Sequence, residues 1–323
     1  MASSRGNKPF AGFLSEHGKE RLVITSHRKA DVDGLSSAYA LHKLFPNSII
    51  AVDELDEAAK GLAELLGIAT VPLESLDRKK FDGLVVVDTA AYTLLPKARG
   101  WKILLIIDHH HPEGRDMEAD TLIIEEDSPS TAEIIAGLLP DVDKDSAFAL
   151  SAAIISDTAR FKTSTAGTFG TLARLMKICG AGYHELLDIA EPEHRSEVKM
   201  AILKACQRVS ISYVGGLVIA TSEVGSNESD AAQVLSEAAD VAFVASWKDK
   251  EQETRISARG RKCVEVPLNE VMKEVGTSLG GNGGGHPKAA GASVKAHTGE
   301  ALARCMEALT ARLEKRQAGL QSL

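Results

Sequence analysis

The 323-residue chain is poor in aromatic residues, which make up only 4% of it, so Ala, Leu, Ile and Val must do most of the packing. Its four cysteines (Cys179, Cys206, Cys263, Cys305) show no CxxC or zinc-type spacing, which argues against a thiolate metal site and points to plain buried or surface thiols. No apolar run reaches the roughly 18 residues of a membrane span. The opening MASSRGNKPF lacks a secretory core, so a reducing, cytoplasmic location with no membrane partner is expected. Excess positive charge is absent as well. The net charge of -8 argues against coating long duplex nucleic acid through a broad basic face, but leaves room for a small anion held at a locally positive point.

What is present is a 44% hydrophobic sequence, enough for a core, with a length that suggests one large or two ordinary domains. LLIIDHHHP (Leu104 to Pro112) is its most informative stretch. Four consecutive aliphatic residues read as a strand buried on both faces, as in a parallel sheet with helices either side. The run stops on Asp108, His109, His110 and His111, residue types that hold divalent metals. Open α/β sheets place their ligands at the carboxyl ends of such strands. LVITSH (Leu22 to His27) and GLVVVDT (Gly83 to Thr89) repeat the pattern, ending on His27 and Asp88. SIIAVD (Ser48 to Asp53) and TLIIEED (Thr121 to Asp127) are further strands.

Between these runs lie helix-like segments. Asp31 and Asp33 precede LSSAYALHKLF; Asp33 suits a helix N-cap, whereas Asp31 has no such local explanation. SPSTAEIIAGLLP (Ser128 to Pro140) has Ser130 and Glu133 at capping-box spacing. Asp157 falls at the end of DKDSAFALSAAIISD, where the helix dipole disfavours a carboxylate and a cation would remove the conflict. Alternating strands and helices predict a parallel sheet with the ligand-bearing ends along one edge.

Residues 1–190 are read as this domain and 191–210 as a helical linker. Residues 211–323 are read as a smaller α/β domain with ISYVGGLVIATSEV paired about Gly215-Gly216 and a terminal amphipathic helix. GGNGGGHPKAAGASV (Gly280 to Val294) can present backbone N–H groups to an anion, or act as a flexible turn. Arg255, Arg259, Arg261 and Lys262 lie on or beside a strand in the same half, and an arginine fork is a natural phosphate partner. His27, Asp31, Asp33, Asp88, His109 and Asp157 form a mixed O/N donor set. It suits Mn²⁺ first, then Co²⁺, Fe²⁺ or Mg²⁺, in a two-ion site sharing one carboxylate.

These runs resemble the DHH phosphoesterases, which include RecJ exonucleases, NrnA-type oligoribonucleases and family II inorganic pyrophosphatases. His27 to Gly34 matches HxxxDxD, with Ala30 where proline is usual. Asp88, then Asp108-His109-His110, then Asp157-Thr158 match the next motifs, and Gly283-Gly284-Gly285-His286 matches the DHH-associated domain. The resemblance implies that His27 and Asp31 hold one metal, Asp33, His109 and Asp157 the other, and that Asp88 bridges. It implies that His110 contacts the phosphoryl oxygens or protonates the leaving group, and that Arg259 and Gly283 to His286 hold a nucleotide. His111 is an addition to the usual pattern; Asp108 fixes the motif start, which keeps His109 as ligand. The expected architecture is a parallel-sheet catalytic domain plus a smaller substrate-binding domain with a cleft between them. The expected activity is release of mononucleotides from short RNA or single-stranded DNA, by a monomer or homodimer. Alternatives are a 3′,5′-bisphosphonucleotide phosphatase, a linear-dinucleotide phosphodiesterase, or, in another class, a degenerate nucleic-acid-binding scaffold.

Overall fold

The computed structural model describes residues 6–111, 114–139 and 141–321, with side chains as far as Arg316. Pro112 and Pro140, which close two of the runs above, and residues 1–5 lie outside the described residues. The chain divides between Glu193 and His194 into two compact units.

The first unit begins with α1 (Asn7–His17), β1 (Leu22–Thr25) and the short β2 (Lys29–Ala30), then α2 (Val32–Leu44) and β3 (Ile49–Ala51). The short β4 (Glu54–Leu55) pairs with β2, and α3 (Glu57–Leu66) follows, closed by Gly67 at φ 64°, a left-handed position that glycine adopts without steric penalty. Next come β5 (Gly83–Val87), β6 (Ile103–Asp108) and β7 (Thr121–Ile124). The helices α4 (Thr131–Leu138), α5 (Lys144–Asp157), α6 (Ala166–Cys179) and α7 (Tyr183–Ala190) complete the unit. The main sheet has the order β3-β1-β5-β6-β7, and every pair in it is parallel. β1, β5 and β6 are therefore neighbours, and their carboxyl ends lie side by side.

β5 and β6 are buried at every position, as their unbroken aliphatic runs require. One face of the sheet, through Leu22, Ile24, Val85, Val87, Leu105 and Ile107, joins the larger core with residues of α1 to α5. Its other face departs from the expectation of helices on either side. Val23, Leu84, Val86 and Ile106 pack against Leu73, Leu95, Ala98 and Met117, which come from single-turn 3₁₀ segments and loops. The connection between β5 and β6, residues 88–102, spends its length on turns, and α3, from the connection between β3 and β5, packs on the larger core instead.

The second unit opens with α8 (Ser196–Gln207), then β8 (Ser210–Val214), β9 (Leu217–Glu223), α9 (Glu228–Ala238), β10 (Val241–Lys248) and β11 (Glu253–Gly260). It closes with α10 (Leu268–Ser278), β12 (Asn282–Gly285), β13 (Ala289–Val294) and α11 (Thr298–Gln321). Its sheet runs β12-β13-β11-β10-β9-β8, antiparallel throughout except for the parallel β9–β10 pair. The glycine run forms an edge strand, β12, and not a flexible turn. A Cβ on Gly283 would run into the Met272 carbonyl of α10, so this glycine lets helix and strand approach closely.

Candidate metal centre

The two acids at the start of α2 exchange the roles the sequence suggests. Asp31, not Asp33, is the N-cap: its Oδ1 accepts from Gly34 N at 3.0 Å. Asp33 sits inside the first turn, 2% exposed, and its oxygens accept from Thr131 N and Ala132 N, both at 2.8 Å. Those two N–H groups are the unpaired donors of the first turn of α4, whose positive dipole end is thus aimed at the acid cluster. Ser130 caps the same helix by accepting from Glu133 N at 3.1 Å.

Asp88 follows the last residue of β5 and has φ 62°, the left-handed region, while its N–H still donates to Ile107 O. It is 2% exposed. One carboxylate oxygen, Oδ2, lies 3.4 Å from His27 Nε2; the other, Oδ1, lies 3.6 Å from His109 Nε2. Oδ1 also accepts a 3.0 Å hydrogen bond from the Thr131 hydroxyl. His27 Nε2 is 3.7 Å from Asp31 Oδ1, and His109 Nε2 is 3.3 Å from Asp157 Oδ2. Two donor groups result, His27–Asp31–Asp88 and Asp33–His109–Asp157, each with its ligand atoms within 4.8 Å of one another, and a third, Asp88–His109–His110, links them. The structure thus brings together all six residues singled out from the sequence, one set on either side of Asp88.

His109 Nδ1 lies 3.2 Å from Ser128 O, a contact that fits an Nδ1–H tautomer and leaves Nε2 free to bind. His110 Nδ1 is 2.7 Å from Asp108 Oδ1. His111 turns away from the cluster, 85% exposed and 3.7 Å from Glu126. Thr131 and Ser128 escaped sequence reading. Both belong to a run that the sequence explains as a helix start capped by Ser130, and only the fold carries that run to the end of β5 and β6.

The electrostatics are those of a site that wants positive charge. Burial, and then the charges of Asp88, Asp157 and Asp31, hold the Asp33 carboxyl well above its ordinary range. Burial and then Asp88 push Asp157 up to about 7. Burial opposes protonation of His27, but its contacts with Asp31 and Asp88 outweigh this and raise it to about 10. Burial pulls His109 down, keeping its imidazole neutral, as a metal ligand must be. The hydrogen bond to Asp108 raises His110. Divalent cations between these donors would relieve the crowding of like charges. The donor chemistry, carboxylate and imidazole without thiolate, fits Mn²⁺, Co²⁺, Fe²⁺ or Mg²⁺.

In the second unit, a pocket of about 730 Å³ lies over β11, β12 and β13. Arg255, Ser257 and Arg259 line it from alternate positions of β11, with Gly283, Gly291 and Ser293. Arg259 is held by Ser229 Oγ at 2.8 Å, Gln233 Oε1 at 3.2 Å, and Ser257 Oγ at 3.2 Å. Arg261 instead donates to Glu237 O, and Lys262 is exposed. Gly284 and Gly285 continue β12, and His286 is exposed in the turn to β13, its N–H donating to Ala289 O.

Residues 21–160 match the model of the DHH family, N-terminal domain, and residues 216–315 that of the DHHA1 domain. Over 292 residues the chain is 33% identical to an uncharacterised protein of Methanocaldococcus jannaschii, covering 84% of this chain and 87% of that one. It is 23% identical over 300 residues to the bifunctional oligoribonuclease and PAP phosphatase NrnA of Bacillus subtilis, covering 85% and 90%. Its fold is similar to that of an exopolyphosphatase-related protein from Bacteroides fragilis, with a TM-score of 0.77, 16% identity and 97% of each chain covered. With the strand ends that converge on the acid-histidine cluster and both domain matches in place, the chain belongs to the DHH family of phosphoesterases.

Proposed function

We propose that the protein is a two-metal phosphodiesterase that releases mononucleotides from short RNA or single-stranded DNA. The observation that carries the reading is Asp88, whose two oxygens face His27 and His109 separately and so belong to both donor groups. His27 and Asp31 would hold one ion, Asp33, His109 and Asp157 the other, with Asp88 shared. A divalent pair at such a site supplies a Lewis-acid clamp on a phosphoryl group and a nucleophile at neutral pH.

The chain's own residues do the rest. Asp88 fixes the spacing of the two donor groups, and Thr131 fixes Asp88. Asp108 takes the Nδ1 side of His110, which leaves Nε2 to carry the proton handed to the leaving oxygen. Arg259, oriented in advance by three side-chain acceptors, is suited to a substrate phosphate, and the small residues Ser257, Gly283 and Gly291 leave room beside it for a flat nucleotide. The edge strand through Gly284 and Gly285 to His286 is taken as the rest of that nucleotide site. The acidic net charge agrees with short substrates, which need few phosphate contacts.

A second activity, phosphatase action on 3′,5′-bisphosphonucleotides, is favoured by the Bacillus subtilis relative, whose name carries both. End-labelled RNA and DNA ladders of increasing length, incubated with Mn²⁺ and resolved over time, test the proposal. Stepwise loss of single nucleotides from the short members is expected, and Asp88→Ala should abolish it. Release of inorganic phosphate alone, with every chain length unchanged, would show a phosphatase and not a nuclease.

A further inference from the structure

Few aromatic residues are available to this chain, yet three lie in one row whose middle member, Phe161, is four positions after Asp157. Phe169 and Phe161 have ring centroids 5.2 Å apart, Phe161 and Tyr183 5.8 Å, and His184 extends the row 6.2 Å beyond Tyr183. Three separate segments supply these rings: the first turn of α6, the turn between α5 and α6, and the start of α7. Phe161 and Tyr183 rest partly on a small cluster formed by Ile155, Leu172, Leu186 and Ala190. Packing accounts for those two only in part, and it does not account for Phe169, which is 52% exposed.

The backbone that carries Phe161 is unusual. Ala159, Arg160 and Phe161 have φ of 47°, 57° and 69°, three consecutive L-residues in a region such residues visit rarely and usually singly. Local contacts hold the turn: Phe161 N donates to Thr158 Oγ1 at 3.1 Å, and Arg160 Nε pairs with Glu191 Oε1 at 2.7 Å. The result directs the Arg160 guanidinium to one side and the Phe161 ring into the row. Phe161 is four positions after Asp157, so their Cα atoms are at most about 15 Å apart. The row is thus within reach of the first few nucleotides of a chain whose phosphate lies at the metal centre.

We propose that Phe169, Phe161 and Tyr183 form a stacking platform for the bases of a single-stranded oligonucleotide, an inference that rests on the nuclease reading above. Ring faces accept any base, so the platform selects for unpaired strands without reading their sequence. The test compares a trinucleotide with the same molecule carrying an abasic site, by cleavage in Mn²⁺ and by quenching of a 2-aminopurine base on binding. The wild-type chain should prefer the base-bearing substrate. Phe169→Ala should reduce that preference about five- to a hundred-and-fifty-fold, the range for losing one base–ring stack. Phe169→Trp should restore the preference, and Phe169→Leu, which keeps apolar bulk without a ring, should not. Restoration by leucine, or an unchanged preference in Phe169→Ala, would overturn the platform while leaving the nuclease reading intact. A wild-type chain that neither binds nor cleaves any oligonucleotide would overturn both.

Discussion

Thr131 offers the sharpest test of how the acid cluster is held. It is fully buried at the first position of α4, and its hydroxyl donates to Asp88 Oδ1 at 3.0 Å, while its N–H donates to Asp33. Thr131→Val removes the hydroxyl alone. The backbone donor to Asp33 stays, the side chain remains β-branched, and no cavity is opened. A hydrogen bond to a charged acceptor contributes about 1.5–3 kcal/mol. Removing the partner that orients a metal-binding carboxylate typically weakens metal binding by about 10- to 100-fold. Because Asp88 borders both donor groups, both binding steps should weaken. Isothermal titration of Mn²⁺ into metal-free protein measures this directly, with Thr131→Ser, which keeps the hydroxyl, as the control. A valine variant that takes up two ions with wild-type affinity would refute the positioning role, whatever its activity.

His110→Ala should lower kcat by roughly 10²- to 10⁴-fold, the range for losing a positioned acid or oxyanion partner, with metal content by elemental analysis unchanged; loss of metal instead would make His110 a ligand. Arg259→Ala should raise KM for a dinucleotide about 10- to 100-fold through loss of a charge-assisted contact, measured by initial rates, and an unchanged KM would remove Arg259 from the substrate site. Asp157 is raised to about 7, so the folded metal-free protein holds its proton more tightly than the unfolded chain does, and its stability falls as pH rises from about 4 to 7. Cation binding competes with that proton, so the thermal shift produced by Mn²⁺ should grow as pH rises through about 7; a shift independent of pH across that window would contradict it.

The strands that end at the acid-histidine cluster are legible in the sequence because a strand buried on both faces writes itself as an unbroken aliphatic run, and a polar residue ends it abruptly. Ile103–Asp108 and Gly83–Val87 are such runs. Asp31 and Asp33 are harder, since the sequence favours Asp33 as the cap, and only the position of Gly34 N shows that Asp31 fills that role. Gly283 has a second reason to be glycine. Its glycine is demanded by the backbone of a helix that precedes it in the chain by a turn, and composition alone cannot distinguish that from a loop. The aromatic row is invisible to any local pattern because its members come from three segments, at positions 161, 169 and 183.

The left-handed backbone at Asp88 bears on how such a chain could drift. A non-glycine residue held at φ 62° costs the fold roughly 1–2 kcal/mol, and its carboxylate adds repulsion to a buried cluster. Asp88→Gly would relieve both, but it would also remove the acceptor of the buried Thr131 hydroxyl, about 1.5–3 kcal/mol, and the contacts with His27 and His109. Relief and loss are of similar size, so the metal-free chain should melt at nearly the same temperature with either residue. Position 88 can therefore lose its carboxylate at little cost to the fold. A lineage keeping the fold only for binding would be expected to shed Asp88 early, before its surroundings show any sign of decay.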